Sequence, residues 1–255
     1  MEEPALRLIA KGDDVKVDMT CRLKTGELVM TTLKEVAESP DKPKATIFQF
    51  LKTYAPVSVK AGDGQFYSGN EPLRSFTGEI LAGVSNALVG MQAGETRTIT
   101  LEAVTDPAIK PEDRYIQLAR LRTYPKEIKA PKAEYQRIYA KEPEVGAEVE
   151  VGIGVTGRIA RIHGDQLWIK PDLTDTGMVQ TPWGPAEVSE KEDKFELSIL
   201  PEAGRLVRTG PYVGRVDRIE ADSYIMDFGH PFGSAVLVCE IRVREIHTGE
   251  KGQVK

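Results

Sequence analysis

The 255-residue sequence predicts an α+β fold, an antiparallel sheet wrapped around one short helix, with a second region of hairpins after it. Three observations carry this. Val15 to Leu23 alternates strictly, with Val15, Val17, Met19, Cys21 and Leu23 on one face and Lys16, Asp18, Thr20 and Arg22 on the other, as in a half-buried strand. Ile80 to Gly90 carries apolar residues at 80, 81, 84, 87 and 88, the single stripe of a helix, with Gly90 placed to cap it. Late in the chain a Gly-Arg hairpin pattern occurs twice.

In order, Lys24-Thr25-Gly26 turns the first strand into a second run, Glu27 to Thr31. Residues 33 to 55 are mixed, with a short helix expected around Ile47 to Tyr54. Pro56 to Val59 reads as a strand, followed by Gly62-Asp63-Gly64, and Thr96 to Val104 alternates again. From Asp106 to about Glu144 the composition shifts to Pro, Lys, Glu, Ala and Tyr, with prolines at 107, 111, 125, 131 and 143. That density predicts a connector with at most short helical pieces, and a boundary near residue 105. Beyond it, Pro143-Glu144-Val145-Gly146 is answered by Pro201-Glu202-Ala203-Gly204, and GRIARIHGDQLWI from Gly157 by GRVDRIEADSYIM from Gly214. Each copy reads as a hairpin turning at Gly164-Asp165 or Ala221-Asp222.

A formal charge of -5 and the lack of a basic block argue against nucleic acid as a partner. No window approaches the ~18 apolar residues of a membrane span. The first residues lack the basic and apolar regions of a secretory signal, so a cytoplasmic location is expected, or a periplasmic one if a signal peptide has been removed. Cys21 and Cys239 both fall in strand-like stretches. Two buried thiols acting as small apolar residues is the expected reading, and a bridge requires the two strands to be neighbours. His163, His230 and His247 have no Cys or His at ligand spacing, so no metal site is expected.

VKVDMTCRLKTGELVMTT, PVSVKAGDGQ and ILAGVSNALVGMQAGETRTITLE together resemble the FKBP order of strand, turn, strand, Gly-x-Gly, helix and Gly-Glu turn. GRVDRIEADSYIMDFGHPFGSAVLVCEIRVREI is similar to the end of SlyD-type proteins, where an Asp-x-Asn-His-Pro-Leu stretch closes an inserted flap domain. Here that stretch reads Asp227-Phe228-Gly229-His230-Pro231-Phe232. The resemblance implies an FKBP-like domain in two parts, 1 to 105 and 235 to 255. Between them lies a mostly β insert, 106 to 234, with repeat modules at 143 to 200 and 201 to 234.

It also implies rotation about X-Pro bonds, whose barrier of about 18 to 20 kcal/mol comes from amide resonance. An apolar groove that favours the twisted amide suffices, with no acid/base pair and no cofactor. Carried over residue by residue, the groove is Met19, Val29, Met30, Val57, Val59, Ile80, Leu81, Val84 and Cys239, with Phe66 and Tyr67 as further wall candidates. In it the Leu81 N–H receives the ligand carbonyl. Most of the family's aromatic walls are aliphatic or sulfur here, so the set reads either as a looser groove or as packed core. The insert is expected to bind exposed apolar segments of unfolded or partly folded proteins through Trp168, Trp183, Tyr212, Tyr224, Phe228 and Phe232, each of which also reads as core. His230, beside Asp227 and Pro231, is expected to be a turn histidine bonded to local backbone. The overall expectation is a monomeric SlyD-like prolyl isomerase and folding chaperone. Its alternative is a catalytically silent FKBP-fold client-binding or assembly factor.

Overall fold

The computed structural model describes residues 7–64, 74–105, 109–152, 154–173 and 177–248. Along the chain come β1 (Asp14–Leu23), β2 (Leu28–Thr31), α1 (Lys34–Glu38), β3 (Val57–Lys60), α2 (Phe76–Leu88), β4 (Thr96–Leu101), α3 (Pro111–Arg114), β5 (Tyr115–Ala119), β6 (Leu121–Pro125), β7 (Ile128–Pro131) and α4 (Lys132–Tyr139). There follow β8 (Glu148–Gly152), β9 (Val155–His163), β10 (Gln166–Pro171), β11 (Gly177–Thr181), β12 (Gly184–Glu190), β13 (Lys194–Ile199), β14 (Leu206–Thr209), β15 (Tyr212–Ile219), β16 (Ser223–Asp227) and β17 (Leu237–His247). The protein is thus mostly antiparallel β-sheet with few helices.

The chain forms two compact units. The first comprises residues 1–115, 206–215 and 227–255. Its sheet has the order β2-β1-β17-β4, with β3 also on β1. The alternation of β1 sends Val15, Val17, Met19 and Cys21 inward, where Ile80, Leu81, Val84 and Leu88 of α2 complete the core. Fully burying such side chains stabilises the fold by about 1.5–3 kcal/mol each.

The second unit comprises 116–205 and 216–226, and contains sheets of order β7-β10-β9-β8 and β11-β12-β13-β6. Tyr135 of α4 is buried with Val149, Ile159, Leu167 and Ile169. The chain passes between units within β15 and at the ends of β5 and β16, which with β14 make a fourth sheet, β14-β15-β16-β5.

Both repeat hairpins form at the expected turns, β9 to β10 and β15 to β16. They enter by one device. Gly146 N–H donates to Ile159 O at 2.8 Å and Ile159 N–H returns to Ala147 O at 3.0 Å. Gly204 N–H likewise donates to Val216 O at 2.8 Å and Val216 N–H returns to Arg205 O at 3.0 Å. Gly94 makes the same pair with Val243 and Glu95 before β4. All three glycines have positive φ, between 81° and 87°, which residues with a Cβ rarely adopt.

Four expectations need correction. No helix forms at Ile47 to Tyr54: Ile47 is fully buried but Phe50 is 63% exposed, so no helical stripe is available to bury. The stretch from Asp106 to Glu144 is no bare connector, since its described part holds β5, β6 and β7. Pro125 and Pro131 end β6 and β7, which are edge strands, where a missing N–H costs little. Residues 206–215 and 227–234, assigned from sequence to the insert, belong to the first unit, because Val213 and Phe232 lie in its core. Cys21 and Cys239 face one another across β1 and β17 and are joined by a disulfide, so they are not thiols.

Candidate functional site

The groove residues do come together. Antiparallel register places Met19 opposite Ile241, Cys21 opposite both Cys239 and Met30, Val15 opposite Val59 and Val17 opposite Val57. α2 adds Ile80, Leu81 and Val84 from one face. The set is closed: Met19, Val29 and Val59 are 1% exposed, Ile80, Val84 and Cys239 fully buried, and Leu81 4% exposed. Met30 and Val57 are partly buried against the same cluster. Of the two sequence readings, packed core describes these side chains as they stand. Phe66 and Tyr67 lie outside the described residues.

The backbone donor assigned to Leu81 is also committed elsewhere. α2 starts a turn earlier than the stripe at 80 to 88 suggested, so Leu81 is its sixth residue and its N–H belongs to the i→i−4 ladder. The helix's unladdered amides lie at its new N-terminus. There Ser75 Oγ accepts from Gly78 N–H at 3.0 Å, and Phe76 N–H donates to Pro211 O at 2.8 Å. Phe76 is itself fully buried, with the Phe232 ring edge-on at 5.7 Å and the Arg208 guanidinium 5.2 Å from its centroid. Sequence reasoning missed this end of the helix. Two signals point to it: Phe76 is four residues before Ile80 on the same stripe, and Ser75 is a favoured cap.

The segment after β16 is pinned by charge and turn chemistry. Asp227, 4% exposed, accepts two bonds from Arg114, at 2.8 and 2.7 Å, and one from Gly229 N–H at 2.9 Å. Burial alone would raise its pKa, but Arg114 and the Gly229 N–H outweigh this and hold it below the ordinary carboxylate value. His230 Nδ1 accepts from Phe232 N–H at 3.0 Å and Ser234 N–H at 2.9 Å, which leaves Nε2 to donate to Ala103 O at 2.8 Å. It is a turn histidine bonded to backbone, kept neutral chiefly by burial, which lowers its pKa.

The aromatic candidates divide. Trp183 is 3% exposed, Tyr224 fully buried and Phe232 1% exposed, so these three are core and offer a client no surface. Trp183 lies under the Arg122 guanidinium at 4.4 Å, and Tyr224 OH accepts from Arg122 at 3.3 Å. Phe228 is half-buried over Gly214, where any Cβ would come within 2.7 Å of its ring. Trp168 is half-buried, with Arg161 at 4.7 Å and Lys129 at 5.3 Å from its centroid, and Tyr212 is 43% exposed. The outer face of the first sheet carries a polar cleft at Asp18, Thr20, Glu240 and Arg242, where buried Asp18 accepts from Arg244 and Thr32. Among the described residues no group of His, Cys, Asp and Glu is arranged to hold a metal, and no helix is long and apolar enough to cross a membrane.

No family model matches the chain. It is 28% identical over 162 residues to a short-type peptidyl-prolyl cis-trans isomerase of Methanocaldococcus jannaschii, a match that covers 64% of this chain and 82% of the relative. A prolyl isomerase is therefore what this chain is similar to, in a stretch that leaves about a third of it unmatched.

Proposed function

We propose that the protein is an FKBP-type peptidyl-prolyl cis/trans isomerase of SlyD-like arrangement, whose second unit holds unfolded chains while their X-Pro bonds turn in the first. The observation that carries this reading is the 162-residue similarity to a prolyl isomerase, joined to a sheet and helix that gather all nine groove residues into one cluster. The chemistry asks for no nucleophile. An apolar enclosure favours the twisted amide, which has lost its resonance charge separation, and a backbone N–H orients the chain. For capture, the second unit keeps Trp168 half-buried, and Ile116, Leu121 and Ile219 are 46%, 55% and 43% exposed on β5, β6 and β15. Tethering a chain to the same molecule raises its effective concentration at the groove.

The test is refolding of a proline-limited client beside isomerisation of a labelled X-Pro peptide, without protease. Val84→Arg, which drives a charge into the cluster, is expected to slow both isomerisation readouts at least tenfold in folded protein while suppression of aggregation persists. Suppression without any acceleration by the wild type would support the silent client-binding alternative.

A further inference from the structure

We infer that the polar cleft on the outer face of the first sheet is a binding site for a free basic amino acid, lysine or arginine. It opens on the face opposite the groove, since Asp18 and Thr20 alternate along β1 with the inward Val17, Met19 and Cys21. The inference does not depend on the isomerase reading.

The cleft encloses about 200 Å³. That is below the roughly 300–1,000 Å³ of a site for a drug-sized molecule, and suits a ligand the size of one amino acid. Its floor is made of buried polar groups that are already satisfied. Asp18 accepts from Thr32 Oγ1 at 3.0 Å and from Arg244 Nε, and the Thr20 hydroxyl shares a hydrogen bond with that of Thr31 at 2.8 Å. The register explains which arginine Asp18 takes. Arg242 stands directly opposite Asp18, but the β1–β17 ladder slips between Lys16 and Val17, and Arg244 is the extra residue of that bulge. A bulge re-aims its side chain, and here it brings Arg244 onto the carboxylate in place of Arg242. Among the described residues Arg242 is then left in the cleft without an ion-pair partner. The same holds for Glu240, two residues away on the same face of β17, and for Glu35 of α1, across β1 on the β2 side.

These three charges define the ligand. Two carboxylates and one guanidinium complement a molecule with two cations and one anion, which is the charge set of lysine or arginine at neutral pH. The α-carboxylate meets the planar fork of Arg242, and the α-ammonium meets the adjacent Glu240. The ligand side chain crosses β1 with its methylene stem against Leu33 and its cationic end at Glu35. Asp18 and Arg244 neutralise one another, so they shape the floor without competing for the ligand's charges.

The test is calorimetric titration of the full chain at low salt with L-lysine and L-arginine, beside three probes that each lack part of the charge set. These are 1,5-diaminopentane, without the carboxylate; norleucine, without the second cation; and Nα-acetyl-lysine amide, with both α-groups capped. Saturable one-to-one binding of lysine or arginine is expected, with every probe at least tenfold weaker. Arg242→Gln and Glu35→Gln, both at exposed positions outside the groove, are each expected to weaken binding at least tenfold through loss of a charge-assisted bond. Neither should alter the rate of X-Pro relaxation. Diaminopentane bound as tightly as lysine would show only a general attraction of cations to acidic residues, and overturns the inference. Lysine binding that both folded variants leave unchanged places the ligand elsewhere and also overturns it, as does the absence of saturable binding by either amino acid at millimolar concentration. Isomerisation without amino-acid binding removes this inference alone. Amino-acid binding without isomerisation keeps it and removes the isomerase reading.

Discussion

In the first unit the candidate residues are aliphatic, sealed together, and closed by strong local bonds. Cys21 and Cys239 join β1 to β17 across 218 residues of sequence, and the buried carboxylate of Asp227 has a bidentate arginine. In the second unit, aromatic rings lie under cations: Arg122 over Trp183, and Arg161 and Lys129 over Trp168. The Arg122 Nε is buried with no hydrogen-bond partner, and no carboxylate pairs with that guanidinium among the described residues. The first unit is thus braced by interactions that are costly to break, whereas the ring–cation contacts of the second, one in its core and one half-buried, are each individually weak.

The largest expected difference is covalent. Replacing Cys21 and Cys239 together by alanine should cost the first unit about 5 kcal/mol, the loop-entropy value for so long a closed loop. Urea unfolding followed by hydrogen exchange should show the loss in amides of β1, β17 and α2, with β9, β10, β12 and β13 little changed. Equal loss in both units would erase the contrast.

Next comes charge. Asp227→Ala removes the buried carboxylate that two Arg114 N–H groups and the Gly229 N–H bond, and is expected to cost roughly 3 kcal/mol. Arg122→Met removes a guanidinium that has no carboxylate partner and is expected to cost about 1 kcal/mol, through one ring contact and one weak hydrogen bond. Denaturation midpoints of the two folded variants measure the difference directly.

The pH response should also come from the first unit. Burial depresses the His230 pKa, and its Nδ1 accepts two N–H bonds that a proton there would abolish. Asp227 favours the protonated ring, while Arg74 and Arg215 disfavour it. In the unfolded chain the imidazole takes a proton near pH 6.5. The unfolded state therefore binds more protons below that pH, so stability is full above about 6.5 and lost as pH falls toward the depressed folded value. Asp227, held low, contributes its own loss only well below this window. The urea midpoint should fall between pH 7.5 and pH 5.5 in the wild type and flatten in His230→Gln.

The smallest effect on stability, and the most informative for the second unit, is Trp168→Ala. Half-buried under two cations, it is expected to cost about 1 kcal/mol or less. Aggregation suppression should fall while peptide isomerisation is unchanged. A matched loss of both would deny the division of labour.

How much was legible follows from which interactions are local. The alternation of β1 and the stripe at 80, 81, 84, 87 and 88 named the sheet and the helix because each periodicity reports burial on one face. The two Pro-Glu-x-Gly turns were visible because positive φ restricts the residue type. The disulfide was not, since pairing depends on the register of strands 218 residues apart. The extent of the groove was half legible. Which residues would gather followed from the resemblance to the FKBP order, but that the helix begins at Phe76, and that Pro211 meets it, depends on a cap and on a hairpin far along the chain. The aromatics show the same limit: Trp183 and Trp168 look alike in sequence, yet one is core and the other surface, a distinction made by neighbours on other strands.

The central claim is that this fold turns X-Pro bonds. It is tested most directly by the relaxation rate of a labelled X-Pro peptide after a cis-enriching solvent jump, with wild-type and Val84→Arg protein at micromolar concentration. The account predicts acceleration by the wild type and at least tenfold less by Val84→Arg. Relaxation at the uncatalysed rate with both proteins, each shown to be folded, would contradict it.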